Sequence, residues 1–576
     1  METEEEISIR KECFMKKLSR ILAMILTGAL ILSCAACGKE TEETKKKKKK
    51  TKKTTTEATE TTDEPTEDPT TTSEEPTDTT TTEDATATTS AQLLIDVPEK
   101  NCPIEIPTDE RFHYTMNLEL DPDKRTIGGH VEVEFFNYSE DEWDQLCLRD
   151  YSSLFIDGKA GGYKPNVTPN GALTEITNIT DGRDQSSIEY KREDDQSVVW
   201  FPLATKLAPD EKMTLSYDFV ATIPTVADRY GVEKGVYNVT NFYPILAVYT
   251  ENGWSHEEFY NMGECFFSDI SDYDVTLSVP EDYTILSTGV EKNEEVKDGK
   301  RVYSIDAPCV RDFVFCSCDS FKMVEGDYKD VHIRVVYNEK NPASSTMDEC
   351  IEAGLQASID SLTAFGAAFG EYPYAELDVI VAPIEAGGME YPNLIIITDD
   401  PYMTSPTPGE TVSYEYFREV VAHEIGHQWF MGIVGSNSAL EPWLDESFAS
   451  YTEIVYDSYM GLEEDYNYFS REFMDLSDQN MVKTLMASDI VPINRPHYAF
   501  MDDDAYTMAA YYIGKAALFQ MEEILGQEVM YGVVREYVRR NAFTNSTESK
   551  FFEVLYECVG KDIEELNTLI KSVFMS

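Results

Sequence analysis

The stretch VVAHEIGHQWF, Val420 to Phe430, sets His423 and His427 four positions apart, with Glu424 directly after the first histidine. On a helix that spacing puts both imidazoles on one face, one turn apart, where they reach a single tetrahedral ion. The carboxylate of Glu424 projects beside them and is placed to take a proton from water. A buried helix that spells the pattern by accident is the alternative, and the deciding sequence lies further along. EPWLDESFASYTEIVY, Glu441 to Tyr456, is a second helical run. Packed antiparallel to the first, it returns Glu446 to the two histidines. Two histidines and one glutamate leave the fourth position of zinc open, which a catalytic site requires and a structural site does not. The sequence therefore predicts one zinc per chain, held by His423, His427 and Glu446. Glu453, on the same helix face as Glu446, is placed to accept the second N–H of a ligating histidine and fix its tautomer.

Upstream of this region the pattern is that of strands. YTMNLEL, HVEVEFFN, MTLSYDFVAT, YDVTLSVP and RVYSIDA alternate apolar and polar residues and are separated by Asp, Gly, Asn and Pro. That is the signature of antiparallel sheets packed as a sandwich. Further on, VHIRVVYN, LDVIVAP and NLIIIT read as strands, whereas the stretches around Ser358, Val420, Thr452 and Leu518 have helical period and length. The predicted architecture is multidomain α+β: an antiparallel β-sandwich over residues 98–324, then a mostly helical domain over 325–576.

The N-terminal end is an address. KKLSRILAMILTGALILSCAAC, Lys16 to Cys37, has a basic start and an apolar stretch from Ile21 to Leu32 that is short for a membrane span but suits a signal-peptide core. It ends in small residues and cysteine, resembling a bacterial lipoprotein signal over residues 1–37 with Cys37 as the lipid-modified residue and Cys34 as the alternative. The acidic opening before Met15 is no normal signal-peptide start, so translation is expected to begin at Met15. An uncleaved anchor is the competing reading; both place the rest of the chain outside the cytoplasm, tethered to the cell membrane. Residues 38–97 turn to Thr, Lys, Glu, Asp and Pro with almost nothing to bury, and are expected to form a disordered spacer. Acidic residues outnumber basic ones 107 to 48, for a net charge of −59, which argues against nucleic acid or anionic lipid as a partner. Cysteine spacing decides nothing about disulfides and offers no metal pattern.

Three motifs taken together, GGMEYP at Gly387 to Pro392, HEIGHQWF and EPWLDESFA, resemble the gluzincin aminopeptidases of the aminopeptidase N and leukotriene hydrolase family. The resemblance runs from about residue 100 to the C-terminus. It implies a thermolysin-like zinc peptidase domain, peptide substrates, and Glu424 as general base. It also implies that Glu390 anchors the substrate's free amino group, with Gly387, Gly388 and Met389 as part of the edge that pairs with the substrate backbone. A tyrosine in a Y-x-x-G stretch is expected to stabilise the oxyanion. Tyr511 meets that offset to Gly514, and Tyr512 is the runner-up. Two departures stand out: Tyr391 where the family usually has asparagine, and Ser447 where glycine is common. With the chain ending at Ser576, soon after Tyr511, the large helical C-terminal domain of many relatives is expected to be missing, leaving a cleft open to longer peptides. The expected function is a zinc-dependent aminopeptidase acting on extracytoplasmic peptides. The alternatives are an endopeptidase of another gluzincin group and a non-catalytic peptide-binding protein on a peptidase fold.

Overall fold

The computed structural model describes residues 91–154, 172–194, 196–260, 263–406, 413–462, 476–477 and 479–575. The signal segment 1–37, with Cys34 and Cys37, and the spacer up to residue 90 lie outside the described residues. Residues 91–97, expected to continue the spacer, instead pack on the folded protein. The Leu94 N–H donates to Cys558 O at 2.7 Å, and Leu93, Ile95 and Val97 lie against the core. The apolar alternation of LLIDV, read as linker, buries one side of an extended segment.

An eight-stranded sheet forms the first layer. Its order is Val290–Lys297, Lys300–Val310, Ser271–Pro280, Phe112–Asp121, Thr126–Phe136, Lys212–Thr222, Thr174–Asp181 and Ser186–Ser187. Along Phe112–Asp121 every second residue is buried and its neighbours face outward, the pattern of a sheet covered on one face. Two four-stranded sheets cover that face. On the covered face Tyr114 stacks on Tyr273 of the neighbouring strand with ring centroids 4.8 Å apart, and between the layers Phe242 meets Phe219 at 6.0 Å and Phe315 at 5.8 Å. The sandwich is as expected except at one pair: Phe112–Asp121 and Ser271–Pro280 run parallel. The chain between them passes through the covering sheets, and a connection of that length frees the two strands from hairpin geometry.

A second sheet of five strands follows, in the order Phe321–Tyr328, Val331–Asn338, Glu376–Ala382, Leu394–Thr398 and Gly388–Tyr391. Its first strand runs across the expected domain boundary at 324/325, because Phe321–Tyr328 pairs with Val331–Asn338 along its whole length. Its last strand, Gly388–Tyr391, is an edge, paired only to Leu394–Thr398.

Four helices build the region around this edge: α1 (Met347–Phe369), α2 (Glu415–Gly426), α3 (Trp443–Met460) and α4 (Gly514–Leu525). Helices α2 and α3 approach so closely at Gly426 that a Cβ there would collide with the Thr452 side chain. A turn of π-helix, Met508–Ile513, precedes α4 and packs on α3. The contact is again tight, since a Cβ on Gly514 would collide with Ser447, whose hydroxyl donates to Ala510 O at 2.6 Å. Ser447 is thus accommodated because position 514 is glycine.

Among the described residues the two halves share one core and form one compact unit. Arg311, just beyond the Lys300–Val310 strand, is a strong link between them. Its buried guanidinium donates to Gly432 O at 3.0 Å, Ser268 O at 2.9 Å, Thr544 O at 2.8 Å and Asn545 Oδ1 at 2.6 Å. The eight described cysteines are free thiols, all buried but Cys102. Among the described residues no helix is long and apolar enough to cross a membrane.

Candidate metal centre

Helix α2 carries His423 and Glu424 and ends at His427, while α3 lies alongside and presents Asp445, Glu446 and Glu453. The His423 and His427 Nε2 atoms stand 3.2 Å apart, and each is 3.6 Å from Glu446 Oε2. Three ligand atoms of the types zinc prefers therefore converge, from His423, His427 and Glu446. Each imidazole is oriented from behind. His423 Nδ1 lies 2.8 Å from Glu453 Oε1, and His427 Nδ1 lies 2.7 Å from Asp445 Oδ1. A carboxylate on Nδ1 keeps the proton there and turns the Nε2 lone pair inward. Lys515 pairs with the other Glu453 oxygen, and Ser438 Oγ donates to Asp445 Oδ2 at 2.8 Å.

The electrostatics call for a cation. Burial alone would lower the pKa of His423, yet Glu446 and Glu453 carry it up to about 10. His427 is likewise raised against its burial, by Glu390, Asp445 and Glu446. Burial opposes ionisation of Glu446, but the two imidazoles hold its pKa well below the usual carboxylate range. Glu446 Oε2 is buried and accepts no hydrogen bond. A buried carboxylate oxygen without a donor, facing two imidazole nitrogens, fits a divalent metal, and zinc suits this donor set.

A cavity of about 670 Å³ opens on these groups, bounded by the edge strand, α2, α3, α4 and the β half. Of the residues singled out in the sequence, Gly387, Gly388, Glu390, His423, Glu424, His427, Glu446, Glu453 and Tyr511 all line it. Met389 does not: its side chain packs with Ile384 and Ile396, because strand alternation sends neighbours of Gly388 and Glu390 to the opposite face. Burial raises Glu424 to about 7 against the pull of the two imidazoles. Burial also raises Glu390 well above its ordinary value, opposed by His427 and reinforced by Glu264 and Glu424. The ring of Tyr511 stacks on His423 at 6.0 Å with planes 12° apart, while Tyr512 is 38% exposed. Tyr511 belongs to the π-helical turn, whose extra residue per turn re-aims a side chain. Tyr391 ties the edge strand to the β half, its hydroxyl 2.7 Å from Thr240 Oγ1 and 2.8 Å from Asn241 Oδ1.

Asp445 and Glu264, both near the metal-binding donors, escaped the sequence reading. Asp445 is signalled only by its position directly before Glu446. Glu264 comes from an irregular segment of the β half, where it pairs with Arg229 at 2.7 Å and lines the cavity near Glu390. No periodicity marks it.

Residues 354–570 match the peptidase family M1 domain. The chain is similar to aminopeptidase N of Bos taurus, 26% identical over 308 residues, covering 50% of this chain and 31% of the relative. It is also similar to leukotriene A-4 hydrolase of Xenopus laevis, 29% identical over 206 residues, covering 34% of this chain and 32% of the relative. The chain thus spans about a third of the length of the curated relatives it matches. Its fold is that of an M1 zinc metallopeptidase from Deinococcus radiodurans, with TM-score 0.54 at 16% identity over 84% of this chain and 97% of that one. A mutant of an M1 zinc metallopeptidase from the same organism, bound to a Tyr-Ser-Ala substrate, aligns with TM-score 0.54 at 16% identity over 82% of this chain and 94% of that one.

Proposed function

We propose, from the premise that this chain belongs by its M1 domain to the gluzincin aminopeptidase family, that it releases single residues from the N-termini of peptides outside the cytoplasm. The observation that carries this reading is the buried carboxylate of Glu390, on the edge strand beside the metal-binding donors. A carboxylate removed from water forms strong charge-assisted hydrogen bonds with an ammonium. With Glu264 close by, a free α-amine relieves the mutual repulsion of two acids. An endopeptidase has no use for such a clamp at the cutting position.

The remaining roles follow from position. Zinc held by His423, His427 and Glu446 would supply Lewis acidity to the scissile carbonyl and acidify the attacking water. The edge strand offers backbone groups to an extended peptide, and Gly387 and Gly388 allow close approach. Glu424 takes the proton of the attacking water and delivers it to the departing amine. Tyr511 donates a hydrogen bond to the oxyanion that forms as the carbonyl is attacked. The address read in residues 16–37 supports a lipid anchor at Cys37 and a tethered, extracytoplasmic enzyme.

The test is hydrolysis of aminoacyl fluorogenic substrates and of matched free and N-acetylated peptides, with and without a chelator. Chelator-sensitive release of single N-terminal residues is expected, with acetylated peptides about thirty- to a thousand-fold slower. Glu390→Gln should lose that discrimination. First cleavage at an internal bond, or equal rates on free and acetylated peptides, refutes the reading in favour of an endopeptidase.

A further inference from the structure

Glu419, His423 and His427 follow one another at one-turn intervals along α2, so they form a row about 12 Å long. A Glu390 carboxylate oxygen lies within 4.8 Å of a His427 ring nitrogen, at one end of this row, whereas Glu419 stands one helical turn before His423, at the other. The two carboxylates therefore lie on opposite flanks of the metal-binding donors. If the α-amine docks at Glu390, as in the reading above on which this inference rests, the side chain beyond the scissile bond falls on the Glu419 flank.

That flank has a distinct chemistry. Glu419, Glu453, Tyr416, Tyr512 and Lys515 all line the cavity there. Glu453 is committed to His423 and Lys515. Glu419, by contrast, makes no hydrogen bond or ion pair with any described residue. It is partly buried, and burial together with Glu453 raises its pKa to about 7 against the pull of Lys515 and His423. The two tyrosines stand near it, each feeling its charge and that of Glu453. A carboxylate with no direct hydrogen-bond or ion-pair partner between aromatic walls is the arrangement that receives an ammonium or guanidinium, which gains an ion pair and ring contacts at once. Lys515 pairs directly with Glu453 and attracts Glu419 only from beyond ion-pair distance.

We propose that the Glu419 flank is a selectivity pocket for lysine or arginine in the residue immediately after the scissile bond, with Glu419 as its charged floor and Tyr416 and Tyr512 as its walls. The pocket serves peptides of the form X-Lys and X-Arg.

The experiment compares alanyl-lysinamide, alanyl-norleucinamide and alanyl-glutamylamide as substrates of the full-length protein and of Glu419→Gln. Calorimetric binding of the same compounds gives a second readout. In the wild type, kcat/KM for the lysine compound should exceed that for its uncharged isostere by about ten- to a hundred-fold, with the glutamyl compound slowest. Glu419→Gln should bring the lysine-to-norleucine ratio to about one, while Glu419→Asp retains part of it. Equal rates on lysine and norleucine compounds, or a ratio unchanged in Glu419→Gln, overturns the inference and leaves the aminopeptidase reading standing. Should no compound be cleaved, a calorimetric preference for the lysine compound that Glu419→Gln abolishes keeps the pocket and rejects the peptidase reading. Equal binding in that case rejects both.

Discussion

The Glu424 carboxylate occupies the space that a side chain at Gly388 would need: a Cβ built on Gly388 collides with its Oε1, Cδ and Cγ. The edge strand and α2 are thus fitted to each other at the residue placed to move the proton. Gly388 is not among the positive-φ glycines, so alanine strains no backbone and the effect is purely steric. Gly388→Ala is expected to displace Glu424 and lower kcat by about 10² or more, with stoichiometric zinc retained. Wild-type kcat in a folded Gly388→Ala protein would show that Glu424 works from another position.

Asp445 should matter to the metal although it does not reach it. Its oxygen 2.7 Å from His427 Nδ1 sets the tautomer that leaves Nε2 free to ligate. Asp445→Asn is expected to weaken zinc about 10- to 100-fold, measured by competition with a chromogenic chelator. His427→Ala, which removes a donor outright, should lose stoichiometric zinc altogether. An affinity unchanged in Asp445→Asn would reduce that residue to a packing role.

The neighbouring tyrosines separate cleanly. Tyr511 stacks on His423 inside the cavity, and Tyr512 faces partly outward. Tyr511→Phe should lower kcat by about a hundred-fold, roughly 3 kcal/mol, with little change in binding, since the oxyanion exists only near the transition state. Tyr512→Phe should keep most of its turnover, because the ring wall remains. The reverse pattern would transfer the oxyanion role to Tyr512.

His497 makes stability depend on pH. It is fully buried, its Nδ1 lies 3.0 Å from Cys265 Sγ, and burial pushes its pKa down to about 4, with Glu446 opposing. The unfolded chain takes up this proton near pH 6.5 and the folded protein only near 4. Stability from this group is complete above pH 6.5 and is lost as pH falls towards 4, by about 3 kcal/mol at the limit. Thermal or urea unfolding of wild type and His497→Gln across pH 7 to 4 should show a steeper acid loss in the wild type. Parallel curves would exclude protonation of His497 as a source of acid instability.

The legible part of the site was the part held within single helices. His423 and His427 share one face of α2, and Glu446 and Glu453 share one of α3, so the 3.6-residue period displays them directly. Tyr511 was distinguishable from Tyr512 by its offset to Gly514, and the structure supplies a physical reason for that glycine: Ser447 leaves no room for a Cβ there. Met389 was grouped with its neighbours by motif, whereas strand alternation turns it into the core. Glu264 and Glu419 were invisible for a different reason. Each acquires its role from what the fold sets opposite it, and nothing in the local pattern of a single acidic residue records that. The parallel pairing of Phe112–Asp121 with Ser271–Pro280 is equally non-local, because alternation reports which face is buried and not the direction of the partner.

Arg311 bears on where this chain can be cut. Its guanidinium, rooted in the β half, satisfies the carbonyl oxygens of Gly432 and Thr544 and the side chain of Asn545, all in the helical half. A fragment beginning at residue 325 would retain His423, Glu424, His427 and Glu446, yet would leave the acceptors on Gly432, Thr544 and Asn545 without this donor and the apolar face beneath them bare. The helical half is therefore no cassette to be excised and grafted. Deleting the β half should abolish the proposed activity far from any reacting atom, and shortening the gene to its recognisable motifs should yield an insoluble product.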